Sequence, residues 1–423
     1  MFSSRTNWRF EPNLLAQALE RHRQSGRTLL DLTVSNPTTC GFAYPQQEIL
    51  AALAEPRALA YSPESKGLPE ARAAVAEYYR GRAGTRAERV EAKCAERVET
   101  KAGAAAAAPG EGTGVPGKGT EVDPERIILL SGTSEGYSHV FRLLCEPGDE
   151  VLVPAPSYPL FEFLADLNDV RLATYPLIYD HGWHLDLHAL REAFTERTRA
   201  VMVVHPNNPT GSFVKPSEAA ELAELCAARG AAIVADEVFL DFAAGAEQPG
   251  TFARGGAALT FTLSGLSKIC ALPQMKLAWI VVSGPEELAC AAAERLEVIA
   301  DTYLSPGTPV QLAAAKLLAL CKEMQAQIRR RVAANLAWLD GALGGGASPV
   351  TRLECEGGWY AVLRVPSSGS DETLAANLLE RCSVLAHPGK FFNFAQDGFF
   401  VLSLITPEKD FQEGCRRLQQ FFS

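Results

Sequence analysis

Five short apolar runs, at 127–130, 151–153, 201–204, 232–235 and 277–282, alternate with stretches of helical spacing, and this alternation narrows the available folds more than anything else in the chain. Runs this short, with no polar residue on alternate positions, belong in strands covered on both faces. The pattern therefore specifies an α/β fold, a large domain whose mostly parallel sheet is covered by helices on both faces. A further strand-like run begins at Phe261. Beyond the sheet pattern, 288–303 reads as a long helix leading to a second unit. There 311–343 is helical, and 359–365, 384–386 and 399–404 look like strands of a smaller α+β domain. Upstream, 8–27 is an amphipathic lead-in, 29–37 a short strand and 68–80 a helix. The expected division is an N-terminal segment, 1–45, that joins the small domain, a large domain over 46–308, and a small C-terminal domain over 309–423. With 423 residues and 47% hydrophobic content, the chain can bury two cores.

One segment breaks the pattern. From 84 to 120 the pentapeptide Ala-Glu-Arg-Val-Glu occurs at Ala87 and again at Ala95, followed by five alanines and a Pro/Gly/Thr/Lys tail. Such a composition cannot bury a core, so the expectation is a low-complexity insertion, a solvated helical piece followed by disordered linker.

Charge and cysteine usage exclude several functions. A formal net charge of -10 with no basic block speaks against nucleic acid as a partner. The ten cysteines contain no C-x-x-C pair, and no secretory apolar region opens the chain. A reduced, cytoplasmic protein is expected. No apolar run reaches the roughly 20 residues that span a bilayer, so no membrane partner is expected. His181, His184 and His188 lie close in sequence, but Gly182 and the alternation from Trp183 to Leu187 favour an extended segment, and no metal site is expected. Cys40 and Cys270 read as small buried side chains, and Trp359 and Tyr360 as small-domain core.

The chemistry sits at the ends of the strand-like runs. Ser131-Gly-Thr-Ser-Glu-Gly136 joins a strand to a helix, and its free N–H groups suit a phosphate. His205-Pro-Asn-Asn208-Pro-Thr-Gly211 is a turn that can deliver an Asn amide to a strand's C-terminal end. Asp236-Glu237 closes a buried run, where an acid stays charged only if it is paired or hydrogen-bonded. Phe261-Thr-Leu-Ser-Gly-Leu-Ser-Lys268 places a lysine where partial desolvation lowers its basicity, as Schiff-base chemistry requires.

In these motifs and their order the chain resembles the fold-type I pyridoxal-5'-phosphate enzymes, and within them the aspartate-aminotransferase-like class I/II aminotransferases, from about Leu30 to the C-terminus. The resemblance implies pyridoxal 5'-phosphate as cofactor, with Lys268 as the catalytic lysine that carries it as an internal aldimine. It further implies Asp236 at the pyridinium nitrogen, Asn208 at the 3'-oxygen and Tyr158 stacked on the ring. Gly132, Thr133, Ser134 and Ser267 would hold the phosphate, and Tyr61 would reach the phosphate of a neighbouring subunit, which implies a homodimer with shared active sites. The implied reaction is transfer of an amino group from an amino acid to a 2-oxo acid, with a C–S β-lyase or another fold-type I reaction as the alternative.

Several positions depart from the family pattern. Lys276 stands where most relatives carry a phosphate-binding arginine, and Gly265 where a serine is usual, with Ser264 one step back as the candidate substitute. Phe239 replaces a tyrosine that meets the 3'-oxygen. The arginine that grips the substrate carboxylate would align with Val401. Lys390, Lys66, Arg364 and backbone N–H groups near Asn36 are the groups considered in its place, and the donor and acceptor stay unnamed.

Overall fold

The computed structural model describes residues 1–8, 10–80, 121–245, 249–344, 348–367 and 369–423. The insertion at 84–120 therefore lies outside the described residues. The chain opens with α1 (Leu14–Gln24), β1 (Leu30–Asp31), α2 (Gln46–Leu53) and α3 (Pro69–Tyr79). The lead-in expected from residue 8 becomes helical only at Leu14, because Pro12 precedes it and the Asn13 side chain caps the first turn, accepting from Ala16 N–H at 2.8 Å.

An alternating series follows: β2 (Ile127–Leu130), α4 (Thr133–Leu144), β3 (Glu150–Ala155), α5 (Phe161–Leu167), β4 (Arg171–Tyr179), β5 (Trp183–Leu185), α6 (Leu187–Ala193), β6 (Thr198–Val204), α7 (Pro216–Arg229), β7 (Ala232–Asp236), β8 (Thr260–Gly265), the single turn α8 (Leu266–Ile269) and β9 (Ala278–Ser283). These strands form one eight-stranded sheet in the order β2-β9-β8-β7-β6-β3-β4-β5. The five strands from β8 to β4 run parallel, and antiparallel pairs close both ends. In such a sheet the C-terminal ends of the parallel strands share one edge, where ligands bind.

Helices α9 (Glu286–Tyr303) and α10 (Thr308–Leu343) lead out of the large sheet. The rest comprises β10 (Thr351–Arg352), β11 (Tyr360–Arg364), α11 (Asp371–Cys382), β12 (Val384–Leu385), β13 (His387–Pro388), β14 (Phe399–Ser403) and α12 (Glu408–Phe422). A four-stranded sheet, β10-β11-β14-β13, is the centre of this smaller unit. The strand expected over 29–37 shrinks to Leu30 and Asp31, which pair in parallel with Val384 and Leu385 of β12. The N-terminal segment thereby joins the small sheet's side of the molecule. One buried cluster joins the two units: Phe239 and Phe242 of the large domain pack with Trp359, Tyr360 and Val401 of the small one.

Candidate active site

A cavity of about 300 Å³ opens at the C-terminal edge of the parallel strands, under the small sheet. Asp236, the last residue of β7, lines it, whereas Glu237 next to it is fully buried and accepts from Thr251 Oγ1 (2.7 Å) and Phe252 N–H (2.6 Å). Strand alternation thus separates the two acids, one for the cavity and one for the fold. Oδ1 of Asp236 accepts from Val238 N–H at 2.9 Å, and Oδ2 accepts from the Tyr137 hydroxyl. Burial pushes the Asp236 carboxyl up, while the Tyr137 hydroxyl, the Val238 N–H and the charge of Lys268 hold it down. Tyr137 is a cavity residue that sequence reasoning missed.

Lys268 emerges from β8 in the short turn α8, and its side chain enters the same cavity. Its Nζ lies 5.2 Å from the ring centre of Trp359 and 5.7 Å from that of Phe239. Burial lowers its pKa, and the opposing pull of Asp236 does not cancel that shift. The result is an amine more easily deprotonated than a surface lysine.

At the other end of the cavity, Ser131, Gly132, Thr133 and Ser134 surround the N-terminus of α4. Gly132 supplies no side-chain cap, so the first-turn N–H groups face the cavity with the positive end of the helix dipole. Ser267 and Lys276 line the same region. Lys276 has a left-handed backbone, φ 52°, uncommon for a residue with a Cβ.

Asn208 reaches the cavity from the turn after β6, and its buried Oδ1 has no hydrogen-bond partner. The turn itself is fixed: Asn207 Nδ2 donates to Pro156 O (3.1 Å) and Thr210 Oγ1 (2.9 Å). At Gly211, φ is 70° and a Cβ would lie 2.4 Å from Gly357 O, so the motif's glycine lets the turn dock on the small domain. Tyr158 also lines the cavity, edge-on to Phe161 at 6.2 Å, with its phenol pushed up by burial and by Asp236.

One expectation needs correction and another needs an addition. Ser264 does not substitute for the missing serine: it is buried outside the cavity, and its Oγ donates to Glu237 O at 3.3 Å. Gly265 lines the cavity without a side chain because a Cβ there would lie 2.9 Å from Ala278 Cα on β9 and from Leu277 O just before that strand. No serine fits that approach. Tyr360, expected in the small-domain core, is buried in the cluster that joins the two units and also lines the cavity with Ser35, whose side chain it meets in a hydrogen bond. Burial pushes the Tyr360 phenol up to about 12.

Other candidates lie elsewhere. Tyr61 is 80% exposed and outside the cavity. Val401 is buried in β14 opposite Val362 and His387. Lys66 bonds Glu125 at 2.7 Å, and the Arg364 guanidinium sits over the Phe399 ring at 5.8 Å. Neither these two nor Lys390 lines the cavity, whose cations among the described residues are Lys268 and Lys276. His184 faces Glu218 at 3.3 Å, and the described residues hold no group of three or more metal-ligating side chains. Burial pushes the Cys40 thiol up to about 11 and raises that of Cys270, as suits inert side chains.

Comparison with known proteins places this geometry in context. The family model described as aminotransferase class I and II matches residues 27–418. The chain is 29% identical over 294 residues to the glutamate-pyruvate aminotransferase AlaA of Escherichia coli (strain K12), a match covering 69% of this chain and 64% of the length of that relative. To the Haemophilus influenzae glutamate-pyruvate aminotransferase AlaA it is 25% identical over 418 residues, covering 95% of this chain and 93% of the relative. Among solved structures, the alanine aminotransferase of Pyrococcus furiosus superposes with a TM-score of 0.82 at 21% identity, over 100% of this chain and 99% of its own. That likeness establishes the fold, that of the fold-type I aminotransferases.

Proposed function

Since the chain belongs to the class I and II aminotransferase family, we propose that it is a transaminase that moves an amino group from an amino acid to a 2-oxo acid at the cavity around Lys268. The cofactor of the family is pyridoxal 5'-phosphate, and the residues present fit it. The observation that carries the proposal is a desolvated lysine amine and a buried, hydrogen-bonded aspartate in one cavity that ends on a helix N-terminus. The Asn208 amide, buried at the cavity wall with no protein donor at its Oδ1, offers hydrogen bonds to a polar ligand.

Gly132, Thr133, Ser134, Ser267 and Lys276 would hold the phosphate, Asp236 the ring nitrogen, Asn208 the ring oxygen, and Tyr158 would cover the ring. When bound, the cofactor serves as a sink for the electrons left on the substrate's Cα. The rest falls to the protein. Lys268 Nζ, with its basicity lowered by burial, takes the proton from Cα and returns one on the other side of the exchange. The rings of Trp359 and Phe239 keep bulk water from that amine. With Val401 at the expected arginine position, the polar groups on the small-domain side are the Ser35 and Tyr360 hydroxyls, and these would meet the substrate carboxylate.

The transaminase names of the relatives favour transfer over the lyase alternative. Exposed Leu59 (94%) and Tyr61 (80%) support a homodimer in which Tyr61 reaches a neighbouring cavity. Among the described residues no helix is long and apolar enough to cross a membrane.

The test is stoichiometric. Cofactor-loaded protein given alanine, glutamate or arginine alone should release no more than one equivalent of 2-oxo acid per site, and should turn over continuously once a different 2-oxo acid is added, pyruvate with glutamate or arginine and 2-oxoglutarate with alanine. Lys268→Ala should lower turnover on the order of a thousandfold and abolish the visible absorbance of lysine-bound cofactor. Ammonia and pyruvate released from a β-substituted amino acid without an acceptor would favour the lyase.

A further inference from the structure

Helix α4 meets the cavity twice. Its N-terminus forms the anion end, and one turn later Tyr137 reaches Asp236, 99 residues away in sequence. The phenol is 3% exposed, and its ring packs edge-on against Phe161 at 5.3 Å and tilted beside Phe141 at 6.4 Å. Packing therefore fixes where the hydroxyl points. Gly136 makes the approach feasible, since a Cβ there would lie 2.7 Å from Leu263 Cδ2 and 3.0 Å from Leu130 Cδ1.

A donor to a buried carboxylate stabilises its charged form and makes it a weaker base. Of the groups opposing the effect of burial on Asp236, the Tyr137 hydroxyl is the strongest, ahead of the Val238 N–H and the Lys268 charge.

We propose that Tyr137 is a positioning residue that keeps Asp236 ionised and oriented, so that the proton shared between this carboxylate and the cofactor's ring nitrogen stays on the nitrogen. The inference rests on the assignment of Asp236 as the partner of that nitrogen. One proton and two bases are involved. Without the hydroxyl, Oδ2 loses its donor, Asp236 becomes the stronger base, and the proton moves from nitrogen to carboxylate oxygen with none gained or lost.

Tyr137→Phe keeps the ring and removes only the oxygen. The measurements are the ring-nitrogen NMR signal of protein loaded with 15N-labelled pyridoxal phosphate, and the cofactor's Kd. The wild-type signal should lie in the protonated range and move toward the unprotonated range in the variant, with Kd weakened roughly tenfold or more, as loss of a hydrogen bond to a charged group implies. In an Asp236→Asn background the same substitution should change Kd by less than about twofold. Tyr137→Met fills similar space without ring or hydroxyl, so a shift in both variants follows the hydroxyl. A shift in the Met variant alone, an unchanged signal in both, or an equal effect in the Asp236→Asn background would mark a packing role and overturn the proposal. An unprotonated nitrogen in the wild type would also overturn it alone. Wild-type protein that binds no pyridoxal phosphate would instead overturn the functional assignment beneath it.

Discussion

Asp236 and Glu237 stand side by side at the end of one apolar run, and their fates differ because successive strand residues face opposite ways. The local pattern leaves the two acids open and the family resemblance points to Asp236; Lys268, Asn208 and the Ser131–Gly136 turn also stand at strand ends, and the structure brings Asp236, Lys268, Asn208 and Ser131 to one cavity. Tyr137 was not legible, since nothing local distinguishes a helix-face tyrosine that packs in the core from one that reaches a partner strand. Gly265 departs from the family pattern, but the cause, the approach of Ala278 and Leu277, is a cross-strand contact that only the fold supplies. His205, in the same turn motif as Asn208, supports a prediction. Its buried Nδ1 accepts from Val214 N–H at 3.1 Å and its Nε2 faces Gly250 O at 3.1 Å, an arrangement that suits the neutral ring. Burial lowers its pKa from 6.5 to about 4. Between these values the unfolded chain binds a proton that the folded protein does not, so stability is lost as pH falls through that window. At pH 4.5 the loss should be roughly 2–3 kcal/mol relative to neutral pH. Urea unfolding of wild type and His205→Asn at pH 7 and pH 4.5 isolates the effect: the variant should lose less stability between the two, and equal losses would remove His205 as the cause.

At the scale of elements, the apolar runs at 127–130, 201–204, 232–235 and 277–282 each correspond to a strand, at most three residues longer and shifted by no more than one at the start of β9. Continuous apolar character is what a strand buried on both faces demands. The strand β4 gave no comparable signal because it is only intermittently buried along its length, next to the edge strand β5. Helix α4 illustrates how an element can carry two site contacts at once, and Gly136 sets its distance from the sheet. In an open helix, alanine would be more stable than glycine by about 1 kcal/mol. Here the added methyl meets Leu263 and Leu130, both buried, and overpacking of this kind costs roughly 1–3 kcal/mol. The expected outcome for Gly136→Ala is a lower thermal midpoint together with weaker cofactor retention, because displacement of α4 moves both its N-terminus and Tyr137. A stabilised protein with unchanged cofactor affinity would mean that the two leucines repack freely and that α4 does not set the geometry.

At the scale of the molecule, the two larger sheets and the pairing of the N-terminal segment with β12 in a separate two-stranded sheet follow from contacts far apart in sequence, which composition and periodicity cannot register: β1 meets β12 across more than 350 residues. The proposed boundary at 309 falls one residue inside α10, a continuous 36-residue helix whose first part packs with Ile127, Leu129 and Trp279 and whose later part, at Leu339, joins the small-sheet core. No break in helical pattern marks the crossing. The placement of residues 84–120 within this architecture gives a last prediction. Before the segment, Val75 and Tyr79 of α3 are buried against the β2 side of the core, and after it Val122 is buried in the same cluster. The flanks meet, with Arg80 Nε 3.9 Å from Glu121 Oε1, so a short bridge can join them. The closure entropy of a loop grows only with the logarithm of its length, and cutting the segment to a few residues should stabilise the protein by about 2 kcal/mol at most. The far wall of the cluster, from Ile127 to Trp279, is supplied by strands outside the segment. Replacement of 84–120 by a short Gly/Ser linker should therefore leave the thermal midpoint within a few degrees of wild type, with cofactor binding and turnover retained. A large drop in midpoint, or loss of soluble protein, would show that the segment packs on the fold and stabilises it.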